Sequence, residues 1–399
     1  MEIKKLIVPT TLDNTNEDED EDDISFRTQD LIYLDTMSDI NEMDREERVC
    51  YPTDYAIMND AIMSDSYDYG IEDRKSCWTW LRLRYVYNDY VVCVNYKGEI
   101  SGDYVDNNNV SIRPTMQLNL PAVISAKRKL ANVIKMGVYK VDNEIIYHTI
   151  EIGEYPKTYV GDALNEKLEK ELSNGTLSPT GKKYTGYIDE DGSLNYNEEY
   201  IFRGQKYVRV ESSVINDDDS EFLDGTSPQN RTSLWAKVEP ITWMIRNWEE
   251  MPKEINPKGS GTAKTMVIQT CEAIISGIPF YANNKDNNCT LWQNSVIRAY
   301  LNGYDLNEEL KNGNGNIKFK ANQNFNYKGK GFLNEAFNEK VMTDLSSIQN
   351  EQDCSNTDKS QRPLSPAEIA RNELIKKALE RRKQSQQVNN KDDQNENVM

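Results

Sequence analysis

Apolar residues recur along this chain at a few distinct spacings, and each spacing predicts an element. The period of two that marks a half-buried strand appears in "NEIIYHTIEIGEYPKTYV", where Ile146, His148, Ile150 and Ile152 share one face. It returns in "KKYTGYI", "EYIFRGQKYVRVES" and "SLWAKVEPITWMIRNW", with Arg203 and Gly204 at the turn of a hairpin. "YVVCVNYKGEIS" sets apolar, β-branched runs on either side of Lys97 and Gly98 and predicts a second hairpin, and "TMVIQTCEAII" predicts a strand running into a turn or short helix. Helical spacing governs "DALNEKLEKELSNG", where Leu164, Leu168 and Leu172 stand four apart before a stop at Asn174 and Gly175. It also governs "VISAKRKLANVIKMG" and "NSVIRAYLNG", the latter with Val296, Ile297, Tyr300 and Leu301 on one face and Gly303 closing it. Near the end, "SPAEIARNELIKKALERRK" opens with a capping box: Ser365 as N-cap, Pro366 at the first helical position and Glu368 three residues after the cap.

These elements divide the chain. Residues 1–23, with the run "NEDEDEDD", are expected to form a solvated acidic arm, although "IKKLIVP" has the character of a docking strand. Residues 24–345 are expected to be one domain built from two segments, 24–120 and 144–345, followed by a linker over 346–364, an amphipathic helix over 365–385 and a disordered tail over 386–399. The periodicities predict an α+β fold, a twisted antiparallel sheet with flanking helices and long loops.

Composition narrows the function classes. A chain of 399 residues with a net charge of −19 is unsuited to neutralising nucleic-acid phosphates or an anionic membrane surface. It has no apolar run of bilayer length and no secretory leader, so a soluble cytoplasmic protein is expected, or a virion component if the gene is carried by a phage. Cys50, Cys77, Cys93, Cys271, Cys289 and Cys354 contain no C-x-x-C pair and read as free thiols, with no metal expected.

The densest chemistry lies between Ser76 and Pro114, where two tryptophans and five tyrosines accompany four basic residues. Trp78 and Trp80, two apart, fill the core from one strand face while Arg82 or Arg84 points outward. Tyr85, Tyr87 and Tyr90, with Asn88, Asn107, Asn108 and Asn109, form the candidate ligand-binding set, because amphipathic rings beside amides suit adaptable recognition. Arg113 before Pro114 reads as an internal ion pair or carbonyl clamp. "NPKGSGTAKT" falls short of a phosphate loop, since Ala263 stands where glycine must precede the lysine and Lys258 where the first glycine belongs. "YIDEDGSLNYNE" matches a calcium loop at several positions but begins with Tyr187 rather than aspartate. The lone histidine, His148, has no nucleophile beside it in sequence. No catalytic set and no cofactor are therefore expected.

Two groups of motifs resemble an uncharacterised bacterial and phage domain family, domain of unknown function DUF 6273. "YPTDYAIMNDA", "WTWLRLR" and "VSIRP" are similar to its later half, and "IEIGEYPKTYV", "KYVRV", "WAKVEPITW" and "WQNSVIRAYLN" to its earlier half, so the halves stand here in reversed order. The residues that carry the likeness are Trp78, Trp80, Arg82, Arg113, Pro114, Tyr155, Pro156, Glu239, Trp243, Trp292 and Arg298. Leu83 and Arg84 replace the family's Ser-Pro, and Ser111 and Ile112 its Gly-Val. The resemblance implies a fold similar to C-type lectins and formylglycine-generating enzymes, and a circularly permuted single core. The expected function is a non-enzymatic recognition or structural module for a protein or glycan ligand, in a virion or host-facing role, with the C-terminal helix docking a protein. The alternatives are an enzyme using carboxylates and His148, and an intracellular assembly protein.

Overall fold

The computed structural model describes residues 3–15, 27–41, 43, 45–61, 63, 76–85, 89–129, 135–141, 144–188, 193–211, 221–222, 225–228, 231, 233–282, 290–307, 310–311, 318–319 and 325–337. In chain order the elements are β1 (Ile7–Val8), β2 (Thr10–Leu12), β3 (Thr28–Asp30), β4 (Ile32–Tyr33), α1 (Met37–Asn41), α2 (Arg45–Arg48) and α3 (Asp54–Met58). Then come β5 (Thr79–Arg84), β6 (Tyr90–Val94), β7 (Ile100–Tyr104), β8 (Thr115–Asn119), α4 (Leu120–Lys129), β9 (Lys135–Val141), β10 (Glu144–Tyr159) and α5 (Asp162–Ser173). The chain continues through β11 (Pro179–Ile188), β12 (Leu194–Phe202), β13 (Gln205–Glu211), β14 (Ser233–Ile245), β15 (Thr265–Thr270), α6 (Val296–Asn302), β16 (Leu310–Lys311), β17 (Lys318–Phe319) and α7 (Phe332–Ala336). The fold is mixed α+β and dominated by antiparallel sheet.

The main sheet has ten strands, and its hub is β14. One edge of β14 pairs with β10 from Ala236 to Met244, while the other is shared, β13 taking Ser233–Lys237 and β15 taking Trp243–Ile245. The path runs β1-β8-β15-β14-β13-β12-β11, with β4 on β8 and β9 on β10. Thus β8, from the first segment, is zipped to β15, from the second, over Thr115–Asn119. Trp80, Trp243 and Trp292 belong to one buried cluster, in which the Phe280 ring lies 5.9 Å from Trp80 and 6.2 Å from Trp292.

Local sequence accounts for most of these elements. The β12–β13 hairpin turns at Arg203 and Gly204, whose φ angles of 50° and 76° give the doubly left-handed turn that matches strand twist. In α5, Leu168 is buried with Trp235, Tyr200 and Tyr207, as its spacing predicts. The connecting helix α4 starts at Leu120 and gives way to strand β9 at Lys135, so the end of "VISAKRKLANVIKMG" pairs with β10 instead of continuing a helix.

Two expectations are corrected by packing. The arm is not solvated over residues 3–15: Leu6 and Ile7 are buried, β1 pairs with β8 and β2 pairs with β3, as the docking reading of "IKKLIVP" expects, while the acidic run itself lies outside the described residues. Arg82 does not face outward. It is buried, with Nε 3.3 Å from Asn14 Oδ1, Nη1 3.4 Å from the Leu34 carbonyl and its guanidinium 5.9 Å from the centre of the Tyr33 ring. Strand β5 is covered on both faces, Trp80 packing into the main core and Leu81 against Ile40, Val92 and Val94, while Trp78 is half-buried against Tyr96.

α6 was expected to be amphipathic, yet all seven of its residues are buried. Its polar members are admitted by partners. Asp30, fully buried, accepts from Arg298 Nε at 2.8 Å, Trp292 Nε1 at 3.0 Å and Thr28 Oγ1 at 2.8 Å. Asn302 accepts from the Leu31 and Ile32 amides and donates to the Ile32 and Arg298 carbonyls. At the other end of this layer, Gly331 has φ +73° and passes so near the Tyr300 carbonyl that a Cβ would fall 2.2 Å from it, which is why α7 can close against α6.

Removing one member of a buried ion pair strands the other charge, which typically costs 3–5 kcal/mol. Arg298→Met and Asp30→Asn are each expected to lower unfolding free energy by about 3–5 kcal/mol in urea titrations, and the double variant by less than their sum. Because β8 and β15 hold each other's edges, residues 1–136 and 137–345 expressed separately should each lack a cooperative transition and regain one on mixing. Cooperative unfolding of the first piece alone would contradict this.

Candidate functional site

The candidate ligand-binding residues fall into two groups in space. Tyr90 of β6 and Tyr104 of β7 are direct cross-strand partners with ring centres 4.3 Å apart, and Tyr104 is 47% exposed. Their mutual hydrogen bond pushes the Tyr90 hydroxyl up to about 12. Tyr85 continues the aromatic surface by lying across Gly102, where a Cβ would stand only 2.6 Å from its ring. Asp103 sits beside the pair: burial raises its pKa, although its carboxylate accepts from the Tyr104 amide at 2.7 Å and Asn107 Nδ2 at 3.0 Å. Tyr87 and Asn88 lie outside the described residues.

The asparagines have structural duties. Asn107 donates to Asp103 and accepts from the Asn109 amide at 2.9 Å, and Asn108 Nδ2 donates to the Ile188 carbonyl at 3.2 Å. The Asn108 and Asn109 carbonyls accept from the Gly277 amide and Ser276 Oγ. These contacts tie the β7–β8 loop to β11 and to the loop after β15, so the amides hold the loop in place.

The residues assigned a structural part sit as follows. Arg113 Nε clamps the Thr270 carbonyl at 2.9 Å, and the Pro114 carbonyl accepts from the Thr270 amide. Trp243 Nε1 donates to the Ile152 carbonyl at 2.8 Å. Pro156 lies opposite Val238, and Glu239 accepts from Thr158 Oγ1 at 2.6 Å and Lys237 Nζ at 3.0 Å. Burial would raise the Glu239 pKa, but these partners hold it below the ordinary carboxylate value.

His148 stacks face to face on Trp248, ring centres 3.6 Å apart and planes 12° from parallel. Burial lowers its pKa, partly opposed by Glu249. The phosphate-loop lookalike is a closed turn whose Ser260, Gly261 and Ala263 amides donate to the Glu249, Met251 and Glu250 carbonyls, so those N–H groups are not free to donate to a phosphate. Asp189, Glu190, Asp191 and Gly192 of the calcium-loop lookalike, and the C-terminal helix, lie outside the described residues.

A second constellation was not anticipated. Glu335 of α7 is buried, and its carboxylate gathers four donors: the Thr185 amide at 3.0 Å, Thr185 Oγ1 at 2.8 Å, Tyr300 OH at 2.9 Å and Tyr155 OH at 3.4 Å. Burial raises its pKa, opposed by the Thr185 and Tyr300 hydrogen bonds. Glu335 also lines an open cavity of about 320 Å³ between β11, β12 and α7, with Lys182, Lys183, Tyr196, Lys330 and Asn334 on its walls. The hints in sequence are slight: a carboxylate inside the apolar run "GFLNEAF" and the lysine pair after Gly181. Among the described residues no group of three or more histidine, cysteine or acidic side chains is placed to hold a metal. No helix among them is long and apolar enough to cross a membrane.

Comparison with protein-family models, with curated proteins and with solved structures gives no match.

The chain contains one histidine, so its ring protons report a single titration. His148 is expected to titrate below the ordinary histidine value in NMR, and Glu249→Gln to lower it further. Since the folded state binds this proton less readily than the unfolded chain, the group subtracts stability as pH falls through the ordinary histidine range and has no effect well above it.

Proposed function

We propose that this chain is a non-enzymatic recognition module whose ligand-contacting surface is the tyrosine face of the β6–β7 hairpin. The observation that carries the reading is the Tyr90–Tyr104 pair, two rings in mutual contact with Tyr104 nearly half exposed, flanked by Asp103 and extended by Tyr85. An exposed aromatic face next to hydrogen-bond acceptors suits a ligand with an apolar face and peripheral hydroxyl groups. A glycan fits that description. Tethering of the neighbouring loop through Asn107 and Asn108 favours recognition further, because a surface already ordered loses little entropy on binding.

The same reading places the chain, as a permuted member, in the uncharacterised bacterial and phage domain family that its motifs resemble, with a lectin-like fold and a virion or host-facing role. Support comes from Trp80, Tyr155, Trp243 and Trp292, drawn from both motif groups and buried in one core. The basic C-terminal helix over 365–385 is assigned to docking a protein partner, on the strength of its sequence pattern.

The full chain should bind members of a glycan array, and Tyr104→Ala should weaken the strongest interaction about tenfold or more, of the order expected when a stacking ring is lost. As a half-exposed strand position that loses only its pair with Tyr90, it should change unfolding free energy by no more than about 1 kcal/mol. An array without signal, or a signal indifferent to Tyr104→Ala, would defeat the assignment.

A further inference from the structure

The lysines on the β11–α7 cavity differ from one another in how they are paired. In a protein carrying a net charge of −19, cations readily find carboxylates: Lys206 pairs with Glu154 at 2.9 Å, Lys237 with Glu239 at 3.0 Å and Arg209 with Glu169 at 2.9 Å. On the cavity wall Lys183 follows this rule, pairing with Glu198 at 3.0 Å. Lys182 and Lys330 do not. The Lys182 ammonium rests 4.5 Å from the centre of the Tyr184 ring, and the Lys330 ammonium 5.2 Å from that of Tyr196 and 3.5 Å from its hydroxyl. Neither has a carboxylate oxygen within 4 Å among the described residues. Burial lowers the Lys182 pKa, with Lys206 acting in the same direction and Glu199, Glu335 and Glu154 against it.

The rest of the wall is also polar. Asn334 is turned away from the cavity's needs: its Oδ1 accepts from Lys4 at 2.7 Å and its Nδ2 donates to the Lys330 carbonyl at 2.7 Å, which brings a further ammonium to the rim and fixes the Lys330 backbone. Glu335, the carboxylate at the back, is saturated by Thr185, Tyr300 and Tyr155, so its lone pairs are directed into the protein. Glu199, Glu335 and Glu154 act on Lys182 through space, but none of them is in ion-pair contact with it. A cavity of about 320 Å³ is of the size that holds a small organic molecule.

We infer that the cavity between β11, β12 and α7 is a binding site for a small organic anion, its carboxylate or phosphate head held by Lys182 and Lys330. The anion supplies a direct ion-pair partner, which neither lysine has among the described residues, and the Tyr196 hydroxyl stands ready to hydrogen-bond it. Point-charge ammoniums without a guanidinium accept either head group, so the two are separated by experiment. This site involves none of the residues of the tyrosine face.

The test uses the full chain, with inorganic phosphate and succinate as probes and sodium chloride at matched ionic strength as reference. At least one probe should raise Tm in a concentration-dependent, saturable manner beyond the chloride control, by mass action on the folded state. A response to phosphate alone assigns a phosphate head, and a response to succinate alone a carboxylate. Lys182→Met and Lys330→Met should each weaken the apparent Kd about tenfold, the usual scale for a charge-assisted hydrogen bond, while Tyr104→Ala leaves it unchanged. Lys330→Met lies in an exposed turn and keeps the test valid if Lys182→Met does not fold. No shift with either probe, or a shift preserved in Lys330→Met, would overturn the inference.

Discussion

The buried carboxylate of Asp30 is the point on which the helical layer depends. Taking that charge out of water is costly, and the cost is offset only because Arg298, Trp292 and Thr28 each direct a donor at it. Those donors come from β3, from the turn before α6 and from α6 itself, so satisfying one anion fixes how the early strands meet a helix some 270 positions later. Arg298 is held in turn by the Gln293 carbonyl and by the Tyr304 ring, 4.9 Å from its guanidinium. A hydrophobic contact tolerates sliding, whereas a charge with several directional partners, the Tyr304 hydroxyl at 3.4 Å among them, does not. The burial of every residue of α6 follows from this: Arg298 can be inside because Asp30 is, and Asn302 because it replaces backbone partners for Leu31 and Ile32.

Glu335 performs a parallel task on the far side of α6. Its four donors belong to β10, β11 and α6, joining α7 to the strands as Asp30 joins α6 to the N-terminal segment. Between these two anions runs a continuous aromatic core, in which Tyr155 meets Tyr55, Tyr184 and Phe332 edge to face. Such a core is stiff, and stiffness suits a scaffold that presents surfaces without reorganising. The tyrosine face and the lysine-lined cavity stand on different elements of that scaffold, the first on β6 and β7, the second on β11, β12 and α7.

Charge is distributed unevenly over this architecture. The chain is strongly acidic as a whole, yet Lys182, Lys183 and Lys330 converge on one cavity from β11 and from the turn before α7. Residues 182 and 330 are brought together by the packing of α7 on β11 through Glu335 and Thr185, so the structural anion also builds the cationic wall.

Much of the strand and helix order was legible in the sequence. The period of two in β10 to β15, the leucine spacing of α5 and the turn residues Arg203 and Gly204 encode local geometry through backbone preference and simple burial, which need no knowledge of distant residues. The reading of Trp80 as a core residue rests on the same footing, whereas Trp78, placed in the core by the same spacing, is only half-buried. What could not be read was whatever depends on a partner far along the chain. Arg82 looks exposed until Asn14 and the Leu34 carbonyl are placed beside it, and Asn107 and Asn108 look like ligand contacts until Asp103 and Ile188 claim them. The Glu335 cluster and the cavity beside it combine side chains from β10, β11, β12, α6 and α7, none carrying a local signature. Periodicity by itself determined most of the longer strands and helices, because those are properties of neighbouring residues, although it could not show that the end of "VISAKRKLANVIKMG" pairs as a strand with β10. Only the tertiary structure decided which polar groups are buried, paired or left open to a ligand, since the stability of a charge away from water is set by donors and acceptors that the chain brings from a distance.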